Sequence, residues 1–300
     1  MARTQIVIPC FNEAARLDRG RVRSFVREHP DIGLLFVNDG SLDETADILD
    51  DLHLHAPWQI EVLHLPRNLG KAEAVRRGMV AVLEAGATAA GYWDADFSTP
   101  IEDVSLFQNV LDRRDNVSLV IGTRLSLLGR SIRRRWTRRQ AGRLFARCAS
   151  LVVGLPIVDT QCGAKLFRVD DSTRALFDRP FLSRWIFDVE LLVRWKLACR
   201  RLGWEDCETR LYELPIDTWR EVPGSKLKGR DFARAVGELA HIWWTYSSRP
   251  APLPPEECRD EHHNPFRRGE ADCHWANAAE EDKSERAEQN QTRMNDEARR

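Results

Sequence analysis

No segment of this chain approaches the roughly 18 consecutive apolar residues that a membrane-spanning helix needs, although 43% of its 300 residues are hydrophobic. No signal peptide opens it: Met1 runs almost directly into the apolar stretch QIVIP at 5–9. The 7 cysteines are odd in number and include no Cys-x-x-Cys pair, which excludes an evident disulfide framework and implies reduced thiols in a cytoplasmic setting. Net charge is −1, so the electrostatic footprint of a nucleic-acid binder is missing. Internal repeats are absent too. These exclusions leave a protein that is soluble or lies on a membrane surface, with enough apolar material for one large or two small domains.

Short apolar runs alternate with amphipathic ones through the first 125 residues. Strands are predicted at 5–9, 34–38, 60–65, 89–93 and 119–122, and helices at 14–28, 43–53, 72–85 and 101–113. Such alternation argues for an α/β, Rossmann-like, mainly parallel sheet flanked by helices. Ligands of these sheets sit beyond the C-terminal strand ends. The polar clusters fall at those ends: Asn12-Glu13, Asp39-Gly40-Ser41, Arg67 to Lys71, and Asp94 to Ser98.

The last cluster, in GYWDADFSTP at 91–100, places Asp94 and Asp96 one residue apart after an apolar strand. Side chains two apart leave a strand on the same side, and paired hard oxygens suit Mg²⁺ or Mn²⁺ completed by substrate phosphates. The same residues also make an ordinary capped turn. Asp39-Gly40-Ser41 likewise reads as a ligand contact or as a turn and helix cap. Lys71, after Gly70 at a helix start, reads as a phosphate contact or as a surface lysine.

Beyond residue 124 the character changes. A basic, then apolar, helix is predicted over 136–153, with Arg135, Arg139, Arg143 and Arg147 recurring every four residues beside Trp, Leu, Phe and Val. Arg133 and this row form either a solvated face or a face laid on anionic lipid. Further on come a turn and strand at 158–168, a helix at 185–196, a strand at 209–216, a Gly-containing loop at 219–228 and an amphipathic helix at 232–246. The domain reading is a catalytic domain at 1–228, a C-terminal amphipathic helix at 229–248 and a disordered polar tail at 249–300. The tail holds Cys258, His262, His263, Cys273 and His274, without the spacing of a closed zinc site.

IVIPCFNEAARL, FVNDGSLDET, RNLGKAEAVRRGM, WDADFSTP and GTR together resemble the inverting family 2 glycosyltransferases of the GT-A fold. DTQCGAKLF, RWIFDVELL and WREVPGSK are similar to a narrower group, the dolichyl-phosphate β-glucosyltransferases and their prokaryotic polyprenyl-phosphate relatives. The likeness runs collinearly over 5–228. Relatives often carry membrane helices at one terminus, and no such run is present here.

The resemblance implies a nucleotide diphosphate sugar donor, a divalent cation and a lipid phosphate acceptor reached from the cytoplasmic face of a membrane. It implies metal ligation by Asp94 and Asp96, and a catalytic set of Asp96, Arg124, Lys165 and Asp188. It implies donor contacts from Pro9, Asn12, Glu13, Asp39, Asn68, Lys71, Ser225 and Lys226. Arg124 lies near donor or acceptor phosphate, and Gln161, Gly163 and Lys165 belong to a loop closing over both. Asp159 and Asp188 are the carboxylates nearby, though Asp188 is equally a helix cap. A phosphate acceptor needs no general base, because its second pKa of about 6 leaves it largely dianionic at neutral pH. The expected reaction is hexose transfer, from UDP-glucose, to a polyprenyl phosphate. The alternatives are the same chemistry on a soluble acceptor, or a non-catalytic nucleotide-sugar binder.

Overall fold

The structure, a computed structural model, describes residues 3–125, 128, 131–133, 136–204, 206–220 and 229–247. Its first half contains β1 (Thr4–Cys10), α1 (Arg19–Glu28), β2 (Ile32–Asn38), α2 (Thr45–His55), β3 (Ile60–His64), α3 (Lys71–Glu84), β4 (Ala89–Trp93), α4 (Val104–Arg113) and β5 (Leu119–Thr123). There follow β6 (Ser131–Arg133), α5 (Trp136–Val153), β7 (Ala164–Arg168), α6 (Asp171–Phe177), α7 (Phe187–Arg201), β8 (Leu211–Pro215), β9 (Thr218–Arg220) and α8 (Gly229–Ser247).

Seven strands form one sheet in the order β3-β2-β1-β4-β7-β5-β8. All its pairings are parallel except those of β7, which runs antiparallel between β4 and β5. The central strands are apolar on both faces because helices cover both. In β1, Ile6 and Ile8 enter the core under α1, α2 and α4, while Val7 enters the core under α3 and α7. Leu34 and Phe36 of β2 alternate with Leu35 and Val37 in the same way. From β1 the chain first builds outward to β2 and β3, then returns to place β4 on the other side of β1. The resulting switch point lies between the C-terminal ends of β1 and β4, where this class of sheet opens a crevice.

Local hydrogen bonding moved several boundaries from their predicted places. Helix 14–28 begins only at Arg19, because Arg16 and Leu17 both donate to the Glu13 carbonyl and close a turn. Asp18 then caps α1 by accepting from the Arg21 amide at 3.0 Å. Asp43 accepts from the amide and hydroxyl of Thr45 at 3.1 and 2.5 Å, so α2 starts two residues later than expected. Three elements had no sequence signal: α6, and the small parallel pair of β6 and β9. No helix among the described residues is long and apolar enough to cross a membrane.

Helix α8 packs through Leu239 and Ile242, both buried. Its Tyr246 hydroxyl donates to Glu190 of α7 at 2.7 Å and accepts from Arg194 at 2.9 Å. Arg194 also donates to Glu190 and to the carbonyls of Leu176, Arg179 and Pro180. One part-buried guanidinium thereby ties α6, α7, α8 and the intervening loop together.

Candidate active site

The crevice is shaped first by the end of β4. The Asp94 amide donates to the Gly163 carbonyl at 3.0 Å, extending the β4–β7 ladder by one step. Trp93, fully buried, donates its indole N–H to the Thr99 carbonyl at 2.9 Å, and the Phe97 amide donates to the Asp94 carbonyl at 3.1 Å. These bonds close a tight loop around residues 94–99. Its strain is carried by Phe97, at φ +46°.

Both acidic side chains of that loop are part-buried. Lys71, the first residue of α3, donates to Asp94 Oδ1 at 2.5 Å. Asp96 Oδ1 accepts from the amide and hydroxyl of Ser98 at 3.0 and 2.8 Å. Among the described residues these side-chain bonds all fall on Oδ1, and Asp96 has no ion-pair partner. Two part-buried carboxylates one residue apart, one of them outside any ion pair among the described residues, fit a hard divalent cation that would take its other ligands from phosphate and water. No group of three or more His, Cys, Asp or Glu among the described residues offers an all-protein metal cage.

Gly163 explains why the facing loop comes so near. A Cβ built there would lie 1.9 Å from Asp94 Oδ2, so any side chain would displace the carboxylate. Lys165 holds that loop from behind. Its ammonium, fully buried, donates to the carbonyls of Thr160 and Cys162 at 3.2 and 2.8 Å and to Asp188 Oδ1 at 2.5 Å. Tyr92 donates its hydroxyl to the same Asp188 oxygen at 2.5 Å. Burial, then the Asp188 charge, pushes the Tyr92 phenol well above its ordinary value, so it remains a donor. Lys165 and Asp188, expected at the reacting centre, are thus enclosed behind it: Asp188 is 4% exposed.

The ends of β1, β2 and β3 are joined by side-chain-to-amide bonds. Asp39, 2% exposed, accepts from the amides of Leu69 and Gly70 at 2.7 and 2.8 Å. Burial raises its carboxyl above the ordinary value despite those two donors. Asn12 accepts from the Leu42 amide at 2.9 Å, and its own amide donates to Ser41 Oγ at 3.0 Å. Glu13 is paired with Arg16, and its amide donates to Thr45 Oγ1 at 2.8 Å. Asn68 accepts from Arg184 at 3.2 Å. Pro9 lies in β1 opposite Val37.

On the β5 side, Arg124 clamps Asp159 with two guanidinium bonds of 2.6 and 2.7 Å. Burial acts to weaken its charge, but Asp159 outweighs burial and raises its pKa. The Asp159 amide is in turn held by Glu213 at 3.2 Å. Gln161 stands between the two carbonyls that Lys165 grips, with its Nε2 buried and unbonded among the described residues. Ser225, Lys226 and Arg135 lie outside the described residues. So do the side chains of Arg133, Arg139 and Arg143, whose backbones belong to β6 and α5. The tail's Cys and His residues also lie outside them.

Sequence reasoning missed three contributors. Arg16 feels Asp96 and Asp94 as well as its partner Glu13; its place in EAARL carries no phosphate-binding signal. Tyr92 reads as a core aromatic. Arg184 covers Gly70, where an added Cβ would lie 2.7 Å from its Nε; only its neighbourhood to FDVELL hinted at the site.

A family model described as Glycosyl transferase family 2 matches residues 5–173. A dolichyl-phosphate beta-glucosyltransferase of Trichomonas vaginalis is 31% identical over 251 residues, covering 80% of this chain and 70% of that protein. One of Drosophila melanogaster is 32% identical, over 74% of this chain and 68% of its own. The polyprenol monophosphomannose synthase of Mycolicibacterium smegmatis is 26% identical, over 79% and 86%. Among solved structures, glucosyl-3-phosphoglycerate synthase of Mycobacterium tuberculosis shares the fold with a TM-score of 0.59 at 14% identity, over 85% of this chain and 82% of that one. The same enzyme has been crystallised with Mn²⁺ and UDP at a TM-score of 0.57.

Proposed function

The chain belongs to glycosyl transferase family 2, and from that premise we propose that it transfers glucose from UDP-glucose to a polyprenyl phosphate, with inversion and with the help of Mn²⁺ or Mg²⁺. The observation that carries this reading is the edge formed by Asp94, Asp96 and Lys71 at the switch point of the sheet. Breaking the bond to a sugar's anomeric carbon develops negative charge on the departing diphosphate. A cation bound at Asp96 would supply Lewis-acid stabilisation of that charge.

The chain's own residues do the remaining work. Asp39 fixes the 67–70 loop that borders the nucleotide end, and Lys71 brings an ammonium to the diphosphate. Lys165 and Asp188 hold the 160–163 loop against Asp94 without meeting substrate. Arg124 offers a guanidinium beside the path of an acceptor phosphate, and a phosphate dianion attacks without a general base.

Lipid as acceptor is supported by the relatives named for dolichyl and polyprenol phosphate chemistry. It is also supported by apolar side chains left outside the core: Leu151 of α5 is 81% exposed, and Trp243 and Trp244 of α8 are 52% and 67% exposed. Tryptophans at a protein surface suit the headgroup region of a bilayer. The row of arginines on α5 would add attraction to anionic lipid, giving a peripheral enzyme on the cytoplasmic face.

The test is a donor and acceptor panel: labelled UDP-glucose, UDP-galactose and GDP-mannose, each offered with a polyprenyl phosphate and with soluble saccharides. Transfer of glucose into a mild-acid-labile lipid is the expected result. Transfer to a water-soluble acceptor alone would replace the lipid reading, and preference for GDP-mannose would replace the donor.

A further inference from the structure

Among the described residues, three cations near the crevice are locked in ion pairs. Lys165 is enclosed with Asp188, Arg124 is clamped on Asp159, and Arg16 is paired with Glu13. Lys71 differs in two respects. Its partner Asp94 belongs to the pair of carboxylates that fits a cation, and the pair is open to solvent, at 33% and 36% exposure against 0% and 5% for Lys165 and Asp188.

Position adds a second constraint. Lys71 opens the 14-residue helix α3. The free N–H groups at a helix start favour anions and disfavour an ammonium. The acidic residue of that first turn, Glu73, is committed to Arg76 and Arg77 at 2.8 Å each. An ammonium here is therefore stabilised by a nearby anion that offsets the helix start. In the ligand-free protein that anion is Asp94, supported at longer range by Asp188 and Asp96. A diphosphate laid across the start of α3 would offset it in the same way, and a lysine on its four-carbon stem can turn from one to the other.

We propose that Lys71 is an exchangeable counter-ion: it neutralises Asp94 until donor arrives, then gives that carboxylate up to the divalent cation as its own ammonium moves onto the diphosphate. This rests on the reading that the edge takes a cation and a nucleoside diphosphate. It makes cation and nucleotide binding cooperative, because each supplies what the other removes from Lys71. It also predicts a result that a structural lysine would not produce, since removing it should strengthen one ligand and weaken the other.

The experiment measures two affinities on the full chain, for Mn²⁺ alone and for UDP at saturating Mn²⁺, in the wild type and in Lys71→Gln, Lys71→Ala and Lys71→Arg. In the Gln and Ala variants Mn²⁺ alone should bind about five-fold tighter, the scale of a half-exposed ion pair. UDP should bind about ten-fold weaker, the scale of one charge-assisted bond to phosphate. Lys71→Arg, which keeps the charge, should leave Mn²⁺ affinity near wild type. Unchanged or weaker Mn²⁺ binding in the Gln and Ala variants, or undiminished UDP binding, overturns the exchange while leaving the cation and donor reading intact. A wild-type protein that binds neither Mn²⁺ nor UDP overturns both.

Discussion

The two halves of the sheet solve the same problem differently. On the side of β1, β2 and β3, the carboxylates that shape loops are satisfied by backbone amides. Asp39 takes Leu69 and Gly70, Asp18 takes Arg21, and Asp43 takes Thr45. Ion pairs there range from the exposed Arg21 and Glu102, at 31% and 44%, to the more enclosed Arg16 and Glu13, at 21% and 10%. On the side of β7, β5 and β8, charge meets charge inside: Lys165 with Asp188, Arg194 with Glu190, Arg124 with Asp159. Amide-bound carboxylates tolerate the loss of a partner better, because the remaining groups can turn to water. Breaking a buried pair strands an uncompensated charge.

The largest expected effect breaks that contrast at its strongest point. Lys165→Met leaves Asp188 buried beside Tyr92 and should cost about 3–5 kcal/mol of stability. Urea unfolding of the variant measures it. The double variant Lys165→Met/Asp188→Asn should recover a substantial part, since the stranded charge is gone. A single variant as stable as wild type would show that the pair is replaceable packing.

Asp96→Asn comes next and acts on catalysis alone. It keeps the size of the side chain and its bonds from Ser98 while removing the unmatched charge. Turnover at limiting Mn²⁺ should fall about 10²–10³-fold, the scale of one lost electrostatic contact to a transition state. The urea midpoint should not move. Near-wild-type turnover would remove Asp96 from the metal site.

The contrast also explains what could be read in advance. Strand–helix alternation and the polar residues at strand ends exposed the β1–β4 half, including Asp94, Asp96 and Lys71, because each motif is a local pattern. Lys165 and Asp188 were visible as residue types but not as a buried pair. Their meeting depends on β7 entering antiparallel between β4 and β5, which no alternation announces. Helix α6 spans seven residues and β6 and β9 three each, too short for periodicity to speak.

Asp39→Ala tests the amide-bound half. It frees the Leu69 and Gly70 amides in a part-buried place, so about 1 kcal/mol of stability should be lost. Thermal protection by UDP with Mn²⁺ should shrink with it, because the loop bordering the donor loses its anchor. Protection equal to wild type would separate Asp39 from donor binding.

The smallest effect lies where the halves meet. Asp103, ahead of α4, is pushed up to about 6 by burial, then by Asp217 from the β8–β9 turn and by Glu102. A carboxyl raised in the folded state binds protons more tightly there than when unfolded. Its contribution is therefore a penalty, absent below the unfolded value near 3.8 and complete above about 6. Stability from this group falls as pH rises through that window. The full shift corresponds to roughly 3 kcal/mol, which solvent screening at a part-exposed site reduces to about 1 kcal/mol. Asp103→Asn should accordingly gain about that much over wild type at pH 7 and nothing at pH 3.5. Urea unfolding of both proteins across pH 3.5–7 checks it. Parallel curves would mean that the two halves meet without repulsion at this turn, and that Asp103 is relieved by solvent as the surface pairs of the first half are.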